Sequence, residues 1–138
     1  MAIDKKVLII EDDLIFFYIL QKTLLTCGVK DVDSVTNGEE AERYIGGLSP
    51  YQLRRMPDLL FVDLKMAVMD GFELMAWLQR NPLYEKIPVI VLTGSTDPDD
   101  RNRSAALGAK AFYEKPIGAA PLKDIVEKVL EKYFGKNS

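Results

Sequence analysis

The chain has 138 residues, the size of one ordinary domain, and its 48% hydrophobic and 28% charged residues are typical of a soluble globular protein that buries a core. Its net charge of −3 excludes the strongly basic surface of most nucleic-acid-binding domains. Because the chain has no histidine and one cysteine (Cys27), it forms no Ser-His-Asp or Cys-His triad, no histidine zinc site and no internal disulfide.

Strands and helices are predicted to alternate along the chain. Apolar runs of strand length lie at residues 7–10, 32–35, 59–62, 89–92 and 111–113. Segments of helical character follow them, at residues 14–27, 38–45, 71–80, 97–108 and 121–134. Because the first, third and fourth apolar runs are continuous, they indicate parallel strands buried on both faces. The pattern predicts one α/β domain over residues 1–138, with a core of about 5–134 and helices on both faces of a doubly wound sheet.

Residues at the ends of the predicted helices support these boundaries. Gly28 is placed to end the first helix, and Asp97 and Pro98 are placed as the N-cap and first residue of the fourth. The irregular segment GGLSPYQLRRMP at 46–57 is predicted to be a loop within the domain.

The sequence predicts a cytoplasmic location with no membrane contact. No apolar run reaches the roughly 20 residues that span a bilayer. The apolar residues that follow Lys5 and Lys6 are too few for a signal peptide, and a single cysteine fits a reducing compartment.

Polar side chains of particular chemistry follow four of the predicted strands: Glu11 and Asp12, Asp63, Thr93, and Lys115. Because the carboxyl ends of parallel strands meet at one edge of a sheet, we expect these groups to converge. Clustered carboxylates suit a hard cation such as Mg²⁺, and a hydroxyl with an ammonium suits a phosphoryl group. Taken singly, each residue also has a structural interpretation, such as acids that cap the next helix. Their coincidence favours a phosphoryl site.

Four motifs resemble the CheY-like receiver domain of two-component response regulators: VLIIEDD at 7–13, LLFVDLKMAVMDG at 59–71, VIVLTGS at 89–95 and LGAKAFYEKP at 107–116. The resemblance covers essentially the whole chain and implies the flavodoxin-like strand order 2-1-3-4-5. Only residues 135–138 follow the last predicted helix, so a stand-alone, single-domain receiver is expected, similar to those that partner bacterial phytochromes.

The resemblance implies a role for each acid. Asp63 is the phosphoacceptor and takes its phosphoryl group from a phosphohistidine of a sensor histidine kinase or a histidine phosphotransfer protein. Asp12, Asp63 and the backbone carbonyl of Lys65 ligate Mg²⁺, and Glu11 contacts the ion through water. The domain catalyses its own phosphorylation and dephosphorylation and is otherwise not an enzyme.

The resemblance also implies how the signal leaves the site. Thr93 and Lys115 bind phosphoryl oxygens, and Thr93 acts with the aromatic residue Phe112 as a switch that changes a surface recognised by a downstream protein. Phe112 stands where tyrosine is frequent; without the hydroxyl, we expect its ring to favour the buried position.

Two positions depart from the family pattern. Ala67 replaces a proline that usually lies four residues after the phosphoacceptor, which predicts a less rigid loop around residues 64–70. Lys65 lies two residues after Asp63, where the family tunes the lifetime of the phosphoryl group; its ammonium is expected either on the acids or, more simply, in solvent.

The first helix begins with seven apolar or aromatic residues, more than one buried stripe requires. The buried stripe is predicted to contain Phe16, Ile19, Leu20, Thr23 and Leu24. Some of the remaining apolar residues face outward, either under neighbouring loops or as a kinase docking patch of Leu14, Ile15, Phe17 and Tyr18.

Three other functions fit less well. A flavodoxin-type FMN carrier needs a phosphate loop where Glu11 and Asp12 stand. An aspartate-nucleophile phosphatase needs an aspartate where Lys65 stands. A pseudo-receiver that acts only as an interaction module, independent of phosphorylation, stays open because of Ala67.

Overall fold

Residues 2–135 are described by a computed structural model, and they form a five-stranded parallel sheet between two layers of helices. The strands are β1 (Ile3–Ile10), β2 (Val29–Val35), β3 (Leu59–Val62), β4 (Val89–Thr93) and β5 (Ala111–Glu114). The helices are α1 (Leu14–Thr26), α2 (Gly38–Ile45), α3 (Gly71–Gln79), α4 (Pro98–Ala106) and α5 (Ala119–Phe134). The strand order is β2-β1-β3-β4-β5, which confirms the predicted fold class. The tail at 136–138 and Met1 lie outside the described residues.

The observed elements differ from the predicted ones only at their ends. β1 begins at Ile3 and β2 at Val29, where consecutive charged residues hide the strand pattern. α5 begins at Ala119, so Pro121 lies within its first turn, where a missing N–H costs nothing. Gly28 takes a φ of 103° directly after α1, as expected of the residue that ends a helix.

Two apolar cores lie on the two faces of the sheet. Leu8 and Ile10 of β1 point toward α2 and α3, whereas Val7 and Ile9 point toward α1 and α5. Because β3, β4 and the part of β1 from Lys6 onward are covered on both faces, their side chains are buried without alternation. None of the helices within residues 2–135 is long and apolar enough to cross a bilayer.

Side-chain caps fix where four helices begin. Carboxylate or amide oxygens accept hydrogen bonds from the first-turn amides of α1, α2, α3 and α4; the caps are Asp13, Asn37, Asp70 and Asp97. Asp97 and Pro98 occupy the predicted N-cap and first helical position. Asp13 is thus a capping residue, separate from the acids beside it.

Candidate functional site

Three acids converge at the carboxyl ends of neighbouring strands. β1 and β3 are hydrogen-bonded with Ile10 opposite Val62, so the residues that follow them lie side by side. Carboxylate oxygens of Glu11, Asp12 and Asp63 lie within 4.8 Å of one another. Glu11 and Asp63 are 3% and 6% exposed, whereas Asp12 is open to solvent. The structure therefore brings together the acids that the sequence singled out.

Lys115 reaches this cluster from the end of β5. Its Nζ lies 3.0 Å from Oε1 of Glu11 and 3.2 Å from Oδ2 of Asp63. Its backbone N–H donates to the carbonyl of Thr93 at 2.7 Å, and its ammonium lies 4.8 Å from the ring centre of Phe16. The ammonium is thus anchored to two buried carboxylates that are distant from it in sequence.

The buried charges perturb each other strongly. Burial, followed by the charge of Asp63, raises the pKa of Glu11 from its ordinary 4.5 to about 7, although hydrogen bonds from Asp13 and Lys115 act in the opposite direction. Burial acts against the charge of Lys115, but Glu11 and Asp63 outweigh it and raise the pKa of the ammonium. A single lysine therefore only partly offsets the cluster, which is the electrostatic setting that favours an additional cation.

Thr93 ends β4 at the same edge and is fully buried. Its Oγ1 accepts a hydrogen bond from the backbone N–H of Ser95 at 3.3 Å. Phe112 of β5 pairs with Val91, two residues before the end of β4. The Phe112 ring is half-buried and packs against the core, and the guanidinium of Arg101 lies over it at 4.9 Å.

The loop between β3 and α3 is held by backbone hydrogen bonds. Met69 donates to the carbonyl of Ala67 at 2.7 Å, which makes a tight turn at Val68, whose φ is 66°. The amide of Gly71 donates to the carbonyl of Leu64 at 3.0 Å. The loop is thus closed by a turn at the position where a proline was expected; its predicted lower rigidity stays a prediction.

The side chain of Lys65 lies away from the acid cluster and is 65% exposed to solvent, as the simpler expectation had it. Its backbone N–H points toward Oδ1 of Asp63 at 3.5 Å, but its Nζ forms an ion pair with Oδ2 of Asp100 at 3.4 Å. Asp100 lies in the first turn of α4 and also accepts a hydrogen bond from Ser95 Oγ at 2.6 Å. These contacts lower the pKa of Asp100, the hydrogen bond from Ser95 most of all.

The outer face of α1 is strongly apolar and exposed beside the site. Leu14, Ile15 and Tyr18 are 66%, 76% and 64% exposed. One expectation for α1 is corrected: Ile19, placed in the buried stripe, is 41% exposed. Phe17 is half-buried against the core. The helix is rotated from the predicted orientation because both Phe16 and Phe17 pack toward the sheet.

A groove of about 490 Å³ runs between α1 and the start of α5, next to this apolar face. It is lined by apolar groups of Phe16, Ile19 and Leu122, with Lys22 and Lys123 among its other residues. The apolar surface therefore continues from α1 into a concave surface.

Sequence reasoning missed three residues that shape the site. Asp100 and Arg101 lie on α4, where their charges alone indicate only a solvated helix. Gly71 was seen only as a helix start, yet a Cβ at this position falls 3.0 Å from Leu64 Cα and still closer to the carbonyl oxygen of Asp63. The glycine that follows an aspartate capping residue was the one available signal of this close approach.

Comparison with known proteins gives a family match over most of the chain. A family model described as the response regulator receiver domain matches residues 7–127. The phosphate regulon transcriptional regulatory protein PhoB of Rhizobium meliloti is 30% identical over 127 residues, which are 92% of this chain and 52% of PhoB. The chain spans about half the length of the first curated relatives that it matches.

Two solved structures are similar over nearly the whole chain. The phosphorylated cyanobacterial phytochrome response regulator RcpA superposes with a TM-score of 0.88 and 28% identity, covering 97% of this chain and 96% of RcpA. The Mn²⁺-bound form of response regulator Rcp1 gives a TM-score of 0.86 and 25% identity, covering 97% of each chain.

Proposed function

Because the chain belongs to the response regulator receiver domain family, we propose that it accepts a phosphoryl group on Asp63 from a phosphohistidine of a partner protein. The observation that carries this proposal is the buried Asp63 carboxylate, which is paired with Lys115 at 3.2 Å and has two further acids within reach. Asp63 lies at the carboxyl end of β3, where the ammonium of Lys115 orients its carboxylate as a nucleophile.

In the proposed reaction, a carboxylate oxygen of Asp63 bonds to phosphorus while the bond from phosphorus to the imidazole nitrogen of the donor breaks. The imidazole keeps the electron pair of that bond. Phosphoryl transfer depends mainly on positioning and on neutralising charge, and Lys115 and the Thr93 hydroxyl are the groups proposed to bind phosphoryl oxygens. The chain has no histidine of its own, so the donor is another protein or a small phosphorylated metabolite.

The donor set fits a hard divalent cation, because three carboxylates converge and no nitrogen or sulfur ligand is among them. Asp12, Asp63 and the backbone carbonyl of Lys65 would hold Mg²⁺, with Glu11 contacting it through water. The bound ion supplies positive charge beside the phosphoryl oxygens. The Mn²⁺-bound form of Rcp1 supports a divalent ion in this family.

The signal is proposed to leave through a protein surface. Thr93 lies at the site and Phe112 lies on the adjacent strand, so a shift of the Thr93 hydroxyl toward the phosphoryl group can be followed by inward movement of the Phe112 ring. The ring is half-buried, packs against the core and lies beneath the guanidinium of Arg101. A downstream protein that contacts β5 and α4 would sense this movement.

The apolar face of α1 is proposed as the docking surface for the phosphoryl donor. It comprises Leu14, Ile15 and Tyr18, with the half-buried Phe17 at its edge, and it borders the acid cluster. The donor is a sensor histidine kinase or a histidine phosphotransfer protein, and a phytochrome-type kinase is the first to test because RcpA is a phytochrome response regulator. We also propose that the protein acts in the cytoplasm, where it meets this donor.

Incubation with acetyl phosphate and Mg²⁺, followed by intact mass measurement, tests the phosphoacceptor. We expect a gain of one phosphoryl group in the wild type and in Asp13→Asn, which keeps a capping side chain, and none in Asp63→Asn. Absence of the adduct from the wild type under all conditions contradicts the proposal and supports an interaction module independent of phosphorylation.

Phosphotransfer from a phosphorylated histidine phosphotransfer protein tests the docking surface. Ile15→Ser is expected to slow this transfer while leaving modification by acetyl phosphate unchanged, because Ile15 is 76% exposed and outside the acid cluster. Leu53→Ser changes another exposed apolar side chain, which is 99% exposed and far along the chain, and serves as the control. Equal rates for both variants would show that α1 is not the docking surface.

A further inference from the structure

The aromatic ring of Phe16 lies against the ammonium of Lys115. Lys115 Nζ is 4.8 Å from the centre of this ring, within the roughly 6 Å over which an aromatic face attracts a cation. The fold brings the two residues together, because Phe16 belongs to α1 and Lys115 follows β5. The side chain of Lys115 is only 19% exposed, and a cation with little access to water gains more from an aromatic face than an exposed one.

The ring differs in kind from the other partners of this ammonium. Glu11 and Asp63 attract Nζ at 3.0 and 3.2 Å through their negative charges. Both belong to the acid cluster that is proposed to hold a divalent cation, and a cation among these acids weakens their attraction for Lys115. The Phe16 ring carries no charge and binds neither protons nor metal ions. Its attraction for the ammonium therefore persists when the charge of the acid cluster changes.

Phe16 is itself held in place. Its side chain is half-buried and packs against the apolar core that α1 and α5 cover. Its backbone N–H donates to Oδ1 of Asp13, the residue that caps α1, at 3.2 Å. The ring is thus a fixed surface, whereas Lys115 has a flexible stem of four carbons that can carry its ammonium to several positions.

We propose that Phe16 is a positioning residue for the phosphoryl site, whose ring keeps the ammonium of Lys115 beside Asp63 and out of solvent. The proposal rests on the proposed phosphoacceptor function. Phe16 touches no reacting atom and acts through Lys115, which is the group proposed to bind a phosphoryl oxygen. An apolar side chain without an aromatic face fills the same space but does not attract the cation, so the ammonium then spends more time in solvent.

NMR without metal or phosphoryl donor tests the contact itself. Protons on Cε of Lys115 that lie over the face of the ring resonate upfield of those of exposed lysines, and Lys115→Gln identifies their signal by its absence. The upfield shift is expected to remain in Phe16→Tyr and to vanish in Phe16→Leu. A Lys115 signal at the same position in the wild type and in Phe16→Leu overturns the proposal.

The rate of modification by acetyl phosphate and Mg²⁺, followed by intact mass, tests the role of the contact. Phe16→Leu is expected to lower this rate about three- to tenfold, the range that a partly buried cation–π contact supports. Phe16→Tyr keeps an aromatic face and should stay within about twofold of the wild type. Phe134→Leu changes another half-buried phenylalanine of the same core, at the last residue of α5, and should be modified at the wild-type rate.

Fluorination separates the electrostatics of the ring from its packing. Mono-, di- and trifluorophenylalanine at position 16 nearly keep the shape of the ring but weaken the negative potential of its face step by step. We expect the rate of modification to fall with each step, whereas a purely structural role predicts equal rates. Equal rates across this series, or a wild-type rate in Phe16→Leu, overturn the proposal. A wild type without a phosphoryl adduct contradicts the proposed function, whereas a modified wild type with equal rates contradicts only the role of Phe16.

Discussion

Gly71 gives the sharpest test of how the fold positions the phosphoacceptor. A Cβ at Gly71 lies 3.0 Å from both Leu64 Cα and Val62 Cγ1, and closer than that to the carbonyl oxygen of Asp63. Two of these three atoms are backbone, so Gly71→Ala forces the start of α3 and the end of β3 apart. The shift also strains the hydrogen bond from Gly71 to the carbonyl of Leu64.

Two opposing effects set the size of the change. Overpacking of a rigid contact costs about 1–3 kcal/mol, whereas alanine in place of glycine in a helix gains at most about 1 kcal/mol. The free energy of unfolding is therefore expected to fall by about 1–2 kcal/mol in Gly71→Ala. Displacement of Asp63 by a few tenths of an ångström is expected to slow phosphorylation by acetyl phosphate on the order of tenfold.

Gly94→Ala is the matched control, because a Cβ there meets no atom within 4 Å and its φ is not in the left-handed region. It should raise the free energy of unfolding by about 0.4–1 kcal/mol, because alanine reduces the conformational entropy of the unfolded chain. Urea denaturation followed by the fluorescence of Trp77, the sole tryptophan, measures both variants. If Gly71→Ala is as stable as Gly94→Ala and is phosphorylated at the wild-type rate, the close approach to Asp63 has no consequence and the reasoning fails.

Three further predictions follow from charge and backbone conformation. Since burial and Asp63 raise the pKa of Glu11 from 4.5 to about 7, the folded state binds this proton more tightly than the unfolded chain, and stability in a chelator should fall as pH rises from about 5 to 8. Glu11→Gln should remove this dependence of stability on pH and raise the free energy of unfolding by up to about 2 kcal/mol at about pH 8, as measured by urea denaturation. An unchanged dependence on pH would contradict the assignment of this effect to the buried Glu11 carboxylate. Val68→Gly should raise the free energy of unfolding by about 1 kcal/mol, because valine is strained at a φ of 66°; a lower melting temperature would argue against that strain. Lys6→Met should lower the free energy of unfolding by about 1–3 kcal/mol, since Lys6 is buried at 2.7 Å from Asp33. In this variant, titration by NMR should give a higher pKa for Asp33, because the lysine that lowers it is absent.

Most of the fold could be read from the sequence because its signals are local. Continuous apolar runs identified β1, β3 and β4, and capping residues such as Asp97 identified where helices begin. The ends of β1 and β2 were underestimated, because Lys6 and Asp33 are charged residues whose mutual ion pair allows them to lie in strands.

The orientation of α1 was less predictable for a different reason. With seven apolar residues in succession, several stripes are compatible with burial, and the sequence does not rank them. Packing against the sheet selects Phe17 over Ile19, and the exposed apolar face follows from that choice.

The sequence by itself determined which groups meet at the site, because parallel strands deliver the residues after them to one edge. Glu11, Asp12, Asp63 and Lys115 all converge there. Only the tertiary structure decided where the ammonium of Lys65 lies. A long flexible side chain can reach more than one carboxylate, and the folded chain sets which of them lies near its end. Here the Nζ of Lys65 pairs with Asp100 on α4 at 3.4 Å, whereas Lys115, 52 residues from Asp63 in sequence, lies 3.2 Å from the Asp63 carboxylate.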